Sequence, residues 1–117
     1  MRIVYAEDNP MIREAIATLL VSEGIDVHEA SDGGEAILLC KAFHPDVVLL
    51  DLDMPRMDGF EVARRLRELG GSTPRIIALT AHGDREHRRL AERAGFDEFL
   101  SKPISVNTIL GAIRVCS

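Results

Sequence analysis

The chain has 117 residues, 46% of them apolar, and a formal net charge of -5. That length suits one domain, and with no Trp, one Tyr and four Phe its core must be built from Leu, Ile, Val and Ala. The acidic balance argues against direct nucleic-acid binding, which needs clustered positive charge, and no apolar run approaches the ~20 residues that would insert in a membrane.

The first apolar run, Arg2 to Ala6, reads as a strand. Asn9 and Pro10 then supply an N-cap and a first helical position; Ile12, Ile16, Leu19 and Leu20 repeat at helical spacing until Gly24. A second run spans Ile25 to Glu29, and Asp32 with Glu35 opens a second helix. Cys40 falls on that helix. Neither it nor the distant Cys116 sits at metal-ligand spacing and no secretory signal is present, so both read as buried or idle thiols in a reducing cytoplasm. The third run, Asp46 to Leu50, is apolar without alternation, as in a parallel strand covered on both faces. Asp58 with Glu61 starts a third helix, and a fourth strand runs from Arg75 to Leu79 and ends at Thr80. Asp84 caps a fourth helix that stops at Gly95. Its Arg85, Arg88, Arg89 and Arg93 interleave with Glu86 and Glu92 and read as a solvated face with i,i+3 and i,i+4 pairs. A weaker run at Glu98 to Leu100 and a helix from about Ser105 to Val115, interrupted by Gly111, complete the chain.

Strands alternating with helices imply right-handed parallel crossovers, hence an α/β, doubly wound five-stranded parallel sheet of (βα)5 type. Five strands suit the flavodoxin-like order 2-1-3-4-5, with ligands at the carboxyl ends of the strands. Residues 1–117 are expected to form one domain.

The residues just beyond the strand ends carry the chemistry. Glu7 and Asp8 come after the first strand, Asp51 and Asp53 after the third, Thr80 ends the fourth, and Lys102 and Pro103 come after the fifth. Strands 1, 3, 4 and 5 are neighbours in the predicted order, so these side chains converge on one rim. Crowded carboxylates invite a divalent cation; Mg2+ prefers about six oxygen ligands and takes one or two carboxylates plus phosphate oxygens. A carboxylate ending a buried strand can act as a nucleophile and become an aspartyl phosphate. A hydroxyl and an ammonium nearby would stabilise the transferred group. Taken singly, each residue has a plainer reading: Asp8 as a helix cap, Thr80 as a β-branched strand residue, Lys102-Pro103 as a surface turn. Their joint placement favours the chemical one.

The elements Glu7-Asp8-Asn9, Val48-Leu49-Leu50-Asp51-Leu52-Asp53-Met54-Pro55 with Met57-Asp58-Gly59, Ala78-Leu79-Thr80-Ala81 and Lys102-Pro103 resemble a response-regulator receiver domain of two-component signalling, chemotaxis-regulator-like, across essentially the whole chain. The resemblance implies that Asp51 is the phosphoacceptor. Mg2+ (or Mn2+) would be bound by Asp8, Asp51 and the Asp53 backbone carbonyl, with Glu7 acting through water. Lys102 would pair with the phosphoryl group or with the resting acid pocket, Thr80 would swing inward to the phosphoryl group, and Phe99 would rotate with Thr80 as the aromatic switch. The Lys102-Pro103 bond would be cis. The donor would be a sensor histidine kinase or a histidine phosphotransfer protein, and hydrolysis of the acyl phosphate would reset the switch. The protein would be a cytoplasmic signalling switch and not an enzyme with a turnover substrate.

Asp53 and His82 fall at positions that influence phosphoryl lifetime in the family; Asp53 would either repel the phosphoryl group or orient an attacking water. Met11 reads equally as an exposed contact for a kinase or phosphotransfer helix and as a partly buried residue. The nearly uncharged last helix, Asn107 to Arg114, lacks the ion-pairing pattern of receivers that dimerise symmetrically, and that dimer is not expected. The chain carries no effector domain, so a single-domain regulator, a relay intermediate and an excised receiver all stay open, as does the output partner.

Two rivals differ in class. Asp51-Leu52-Asp53 is similar to the nucleophile and acid pair of haloacid-dehalogenase-like phosphatases, but those place the motif after their first strand with a threonine where Pro55 stands here. A flavodoxin-like electron carrier would need a hydroxyl- and glycine-rich phosphate loop in place of Glu7 and Asp8.

Overall fold

Capped amphipathic stretches and apolar runs fold as five strands alternating with five helices in a computed structural model that describes residues 1–54, 58–70 and 73–114. In chain order they are β1 (Arg2–Ala6), α1 (Pro10–Ser22), β2 (Asp26–Ala30), α2 (Gly33–Phe43), β3 (Val47–Asp51), α3 (Gly59–Glu68), β4 (Arg75–Thr80), α4 (Arg85–Ala94), β5 (Glu98–Ser101) and α5 (Val106–Arg114). The strands pair in parallel in the order β2-β1-β3-β4-β5. This is the flavodoxin-like doubly wound arrangement expected from the alternation.

β1 and β4 end where expected, whereas β2, β3 and β5 reach one residue further toward their carboxyl ends than hydropathy suggests. Backbone pairing continues past the apolar runs: the Glu7 amide donates to the Ala30 carbonyl at 3.0 Å and the Leu52 amide to the Leu79 carbonyl at 2.8 Å. Ile25 instead closes α1, its amide donating to the Leu20 carbonyl. Polar residues therefore extend the ladder at the end where the site is built.

Every residue of β3 is buried. Val48 and Leu50 join Val4, Ala6, Ile76 and Ala78 in an apolar layer under α2, α3 and α4. Val47 and Leu49 join Ile3, Tyr5, Ile77 and Leu79 in a second layer under α1 and α5. Helices on both faces explain why these strands carry no polar alternation.

Asn9, Asp32, Asp58 and Asp84 cap α1 to α4 as anticipated, each accepting hydrogen bonds from first-turn amides. Gly95 closes α4 at φ +100, where a Cβ would also meet the Arg67 side chain at 3.1 Å. The last helix begins at Val106, within a residue of the expected start, and Ser105 caps it by accepting from the Thr108 amide at 3.1 Å. One expectation needs correction. Among the described residues, the α4 arginines form no ion pairs with Glu86 or Glu92; fully exposed pairs gain too little to hold two long side chains together. Arg88 instead lies over the Phe99 ring, 5.3 Å from its centroid. Pro55, Met57, Val115 and Cys116 lie outside the described residues. Cys40 is buried, which pushes its thiol up to about 11. No described helix is long and apolar enough to cross a membrane.

Candidate functional site

The carboxyl ends of β1, β3, β4 and β5 meet at one rim, as parallel pairing demands: Asp51 stands opposite Leu79, and Thr80 opposite Ser101. Asp51 is 2% exposed, being the last residue of the central strand. Its Oδ2 receives the Lys102 ammonium at 2.9 Å, and its Oδ1 accepts the Asp53 amide at 2.8 Å. Backbone pairing delivers Lys102 to this place: its amide donates to the Thr80 carbonyl at 2.7 Å and so continues the β4–β5 ladder. The Lys102–Pro103 peptide is cis.

Glu7 and Asp8 stand beside Asp51 on the β1 side. One carboxylate oxygen from each of Glu7, Asp8 and Asp51 lies within 4.8 Å of the others. Glu7 is buried and Asp8 exposed. Glu7 is steadied by the Asn9 amide, which donates to its Oε2 at 3.1 Å, and by the Arg13 guanidinium on its backbone carbonyl at 2.8 Å. Burial, and then the neighbouring Asp51 carboxylate, push the Glu7 carboxyl up to about 8. Both causes disfavour the charged form of this carboxyl. A set of hard carboxylate oxygens at this spacing fits Mg2+ or Mn2+.

Asp53 takes a different course from the trio. Its side chain turns toward β4 and β5: Oδ1 accepts the Thr80 hydroxyl at 3.0 Å, and Oδ2 accepts the Ala81 amide at 2.8 Å. The Lys102 ammonium lies 3.1 Å from the same Oδ2. Burial alone would raise this carboxyl, but the Ala81 amide, Lys102 and Thr80 outweigh it and hold it below the usual carboxylate range. Lys102 answers in kind: partial burial works against its charge, yet Asp51 and Asp53 raise it above an ordinary lysine.

Thr80 is buried and accepts the His82 amide at 3.0 Å on the oxygen that donates to Asp53. The His82 ring stacks on His87 of α4, at 5.1 Å between centroids. Phe99 is buried under α4. Met11 is 81% exposed, so it is not the partly buried residue of the second reading. The rim thus gathers Glu7, Asp8, Asp51, Asp53, Thr80 and Lys102, with Phe99 and His82 beside it. Sequence reasoning did not find the Asp53–Ala81 bond, because a backbone amide leaves no trace in residue type.

A family model for the response regulator receiver domain matches residues 3–114. The chain belongs to that family. Among characterised relatives, this receiver domain is 39% identical to response regulator MprA of Mycobacterium leprae, over 97% of its own length and 50% of that protein. The chain therefore spans about half the length of the curated relatives it matches. In three dimensions it is similar to the receiver domain of the Francisella response regulator 1452, with a TM-score of 0.89 and 30% identity over 98% of this chain and 94% of that one. It is also similar to the Vibrio cholerae chemotaxis protein CheY4, with a TM-score of 0.89 and 27% identity over 99% and 98% of the two chains. Family membership displaces both the phosphatase and the electron-carrier readings of the rim.

Proposed function

We propose that this receiver domain accepts a phosphoryl group on Asp51 and signals by the change of shape that results. The observation that carries the reading is the setting of the Asp51 carboxylate: buried at the end of the central strand, 2.9 Å from Lys102, and grouped with Glu7 and Asp8. The donor is a phosphohistidine on a sensor histidine kinase or histidine phosphotransfer protein. An Asp51 oxygen attacks phosphorus, the P–N bond breaks as the P–O bond forms, and the histidine leaves as imidazole. Asp8, Asp51 and the Asp53 backbone carbonyl would hold Mg2+ or Mn2+, with Glu7 through water; the cation would neutralise charge on the phosphoryl oxygens.

Lys102 and Thr80 donate to those oxygens, and Phe99 follows Thr80 as it moves. The phosphoryl group biases an equilibrium between two arrangements through its contacts with these donors. His82 and Asp53 tune how long the acyl phosphate lasts, and water resets the switch. Residues 1–117 act as one such unit, in the cytoplasm, without a turnover substrate and without touching nucleic acid; an output partner reads the face that changes. Asp51→Asn should abolish labelling by acetyl phosphate with Mg2+, measured by intact mass. Undiminished labelling of that variant would remove the proposal.

A further inference from the structure

Both carboxylate oxygens of Asp53 are engaged, by a hydroxyl, an amide and an ammonium drawn from β4, the segment after it, and the end of β5. Its own backbone amide donates to Asp51 Oδ1 at 2.8 Å, so one tight turn fixes the two acids side by side. A phosphoryl group on Asp51 would bring three anionic oxygens to this place and need donors of the same kind. Apart from the Asp51 oxygen that receives Lys102, the donors Thr80, Ala81 and Lys102 converge on Asp53.

We propose that the Asp53 carboxylate is a built-in occupant of the phosphoryl-oxygen subsite, holding at rest the Thr80, Ala81 and Lys102 donors and displaced whenever Asp51 is phosphorylated. The inference rests on the phosphoacceptor reading and deepens it. It differs from repulsion at a distance and from orienting water, because here two anions exchange over one set of hydrogen bonds. The Asp53 side chain keeps 24% of its surface exposed, so it has solvent to move into when displaced. Loss of the side chain leaves the Asp53 backbone carbonyl in place. The plainer alternative, that Asp53 is only a tie between the β3 and β4 ends, predicts the opposite sign: cutting a tie loosens the donors and weakens anion binding.

The test compares wild type, Asp53→Ala and Asp53→Asn by two measurements. Initial rates of labelling by acetyl phosphate with Mg2+ read the transfer. Titration with inorganic phosphate, followed at the Ala81 amide by NMR, reads the donor set without any transfer. Asp53→Ala should bind inorganic phosphate about tenfold more tightly and label faster, with Asp53→Asn between it and wild type because the amide oxygen still accepts but carries no charge. Equal or weaker phosphate binding in folded Asp53→Ala overturns the proposal; if that variant does not fold, the same result in Asp53→Asn does so. Tighter phosphate binding with no labelling of any protein would sink the phosphoacceptor reading and leave the occupant standing. Normal labelling with no gain in phosphate binding would do the reverse.

Discussion

Lys102 lies 2.9 Å from Asp51 across 51 positions of sequence, and reaches Asp53 at 3.1 Å with the same ammonium. One cation thus serves two carboxylates that a single turn holds together. Lys102→Met should leave the rim with uncompensated acids. We expect a loss of about 1–2 kcal/mol at neutral pH, part of it recovered with Mg2+, in urea unfolding. Labelling by acetyl phosphate should fall by about 10²-fold.

Glu7 makes stability depend on pH. Its carboxyl rises from an ordinary 4.5 to about 8, through burial first and Asp51 second. The folded chain therefore keeps this proton where the unfolded chain has lost it. Stability is undiminished below the unfolded value and declines as pH rises toward the folded one. Glu7→Gln should abolish this decline. Thermal melts of variant and wild type should differ little near the unfolded value, and the variant should be the more stable at alkaline pH. Mg2+ should bind wild type more tightly as pH climbs through the same window, because binding expels the proton.

Arg67 clamps the pole opposite the site. Its Nε and Nη2 donate to the Gly95 carbonyl at 3.0 and 2.6 Å, and its Nη1 to Thr73 Oγ1 and the Pro74 carbonyl at 3.0 and 2.9 Å. It also pairs with Asp97, which accepts the Ile76 amide at 2.8 Å. Arg67→Met should cost about 2–3 kcal/mol in chemical denaturation, since several acceptors lose their donor together. Labelling of Asp51 should be unchanged, because Arg67 lies at the far ends of the strands.

Gly83 is pressed against β5. A Cβ there would stand 2.9 Å from Ser101 Cβ and nearer still to its Oγ. Gly83→Ala should destabilise by about 1–3 kcal/mol and slow labelling by pushing the Thr80–His82 segment off the rim. Adding Ser101→Gly should restore both, a coupling that a double-mutant cycle reads directly.

The fold was legible because its determinants are local. Val47 to Leu50 declare a strand buried on both faces, and Asn9, Asp32, Asp58 and Asp84 cap their own helices. Asp51, Thr80 and Lys102 were legible as a group for a different reason: parallel order alone sends successive strand ends to one rim. The features that sequence did not reveal depend on side-chain direction. Residue type does not say that Asp53 turns toward Ala81, that Arg67 gathers the Gly95 and Pro74 carbonyls, or that Arg88 covers Phe99. The expected α4 ion pairs failed because helical spacing shows that two charges can meet, while solvent decides whether they do.

Arg67 fixes more than stability. It grips α4 at Gly95, the carboxyl end, whereas Asp84 at the other end caps its own helix, accepting from His87 and from the Arg88 amide. The bed beneath is shallow, since the buried residues of α4 are Ala91 and Ala94. The helix is about 15 Å long, gripped by Arg67 at one end, resting on Phe99 through Arg88, and joined at the other end to the segment that carries Thr80 and Ala81. The amino end of α4, at Arg85, therefore adjoins the segment that carries Thr80 and Ala81, and the end that Arg67 holds lies farthest from it along the helix.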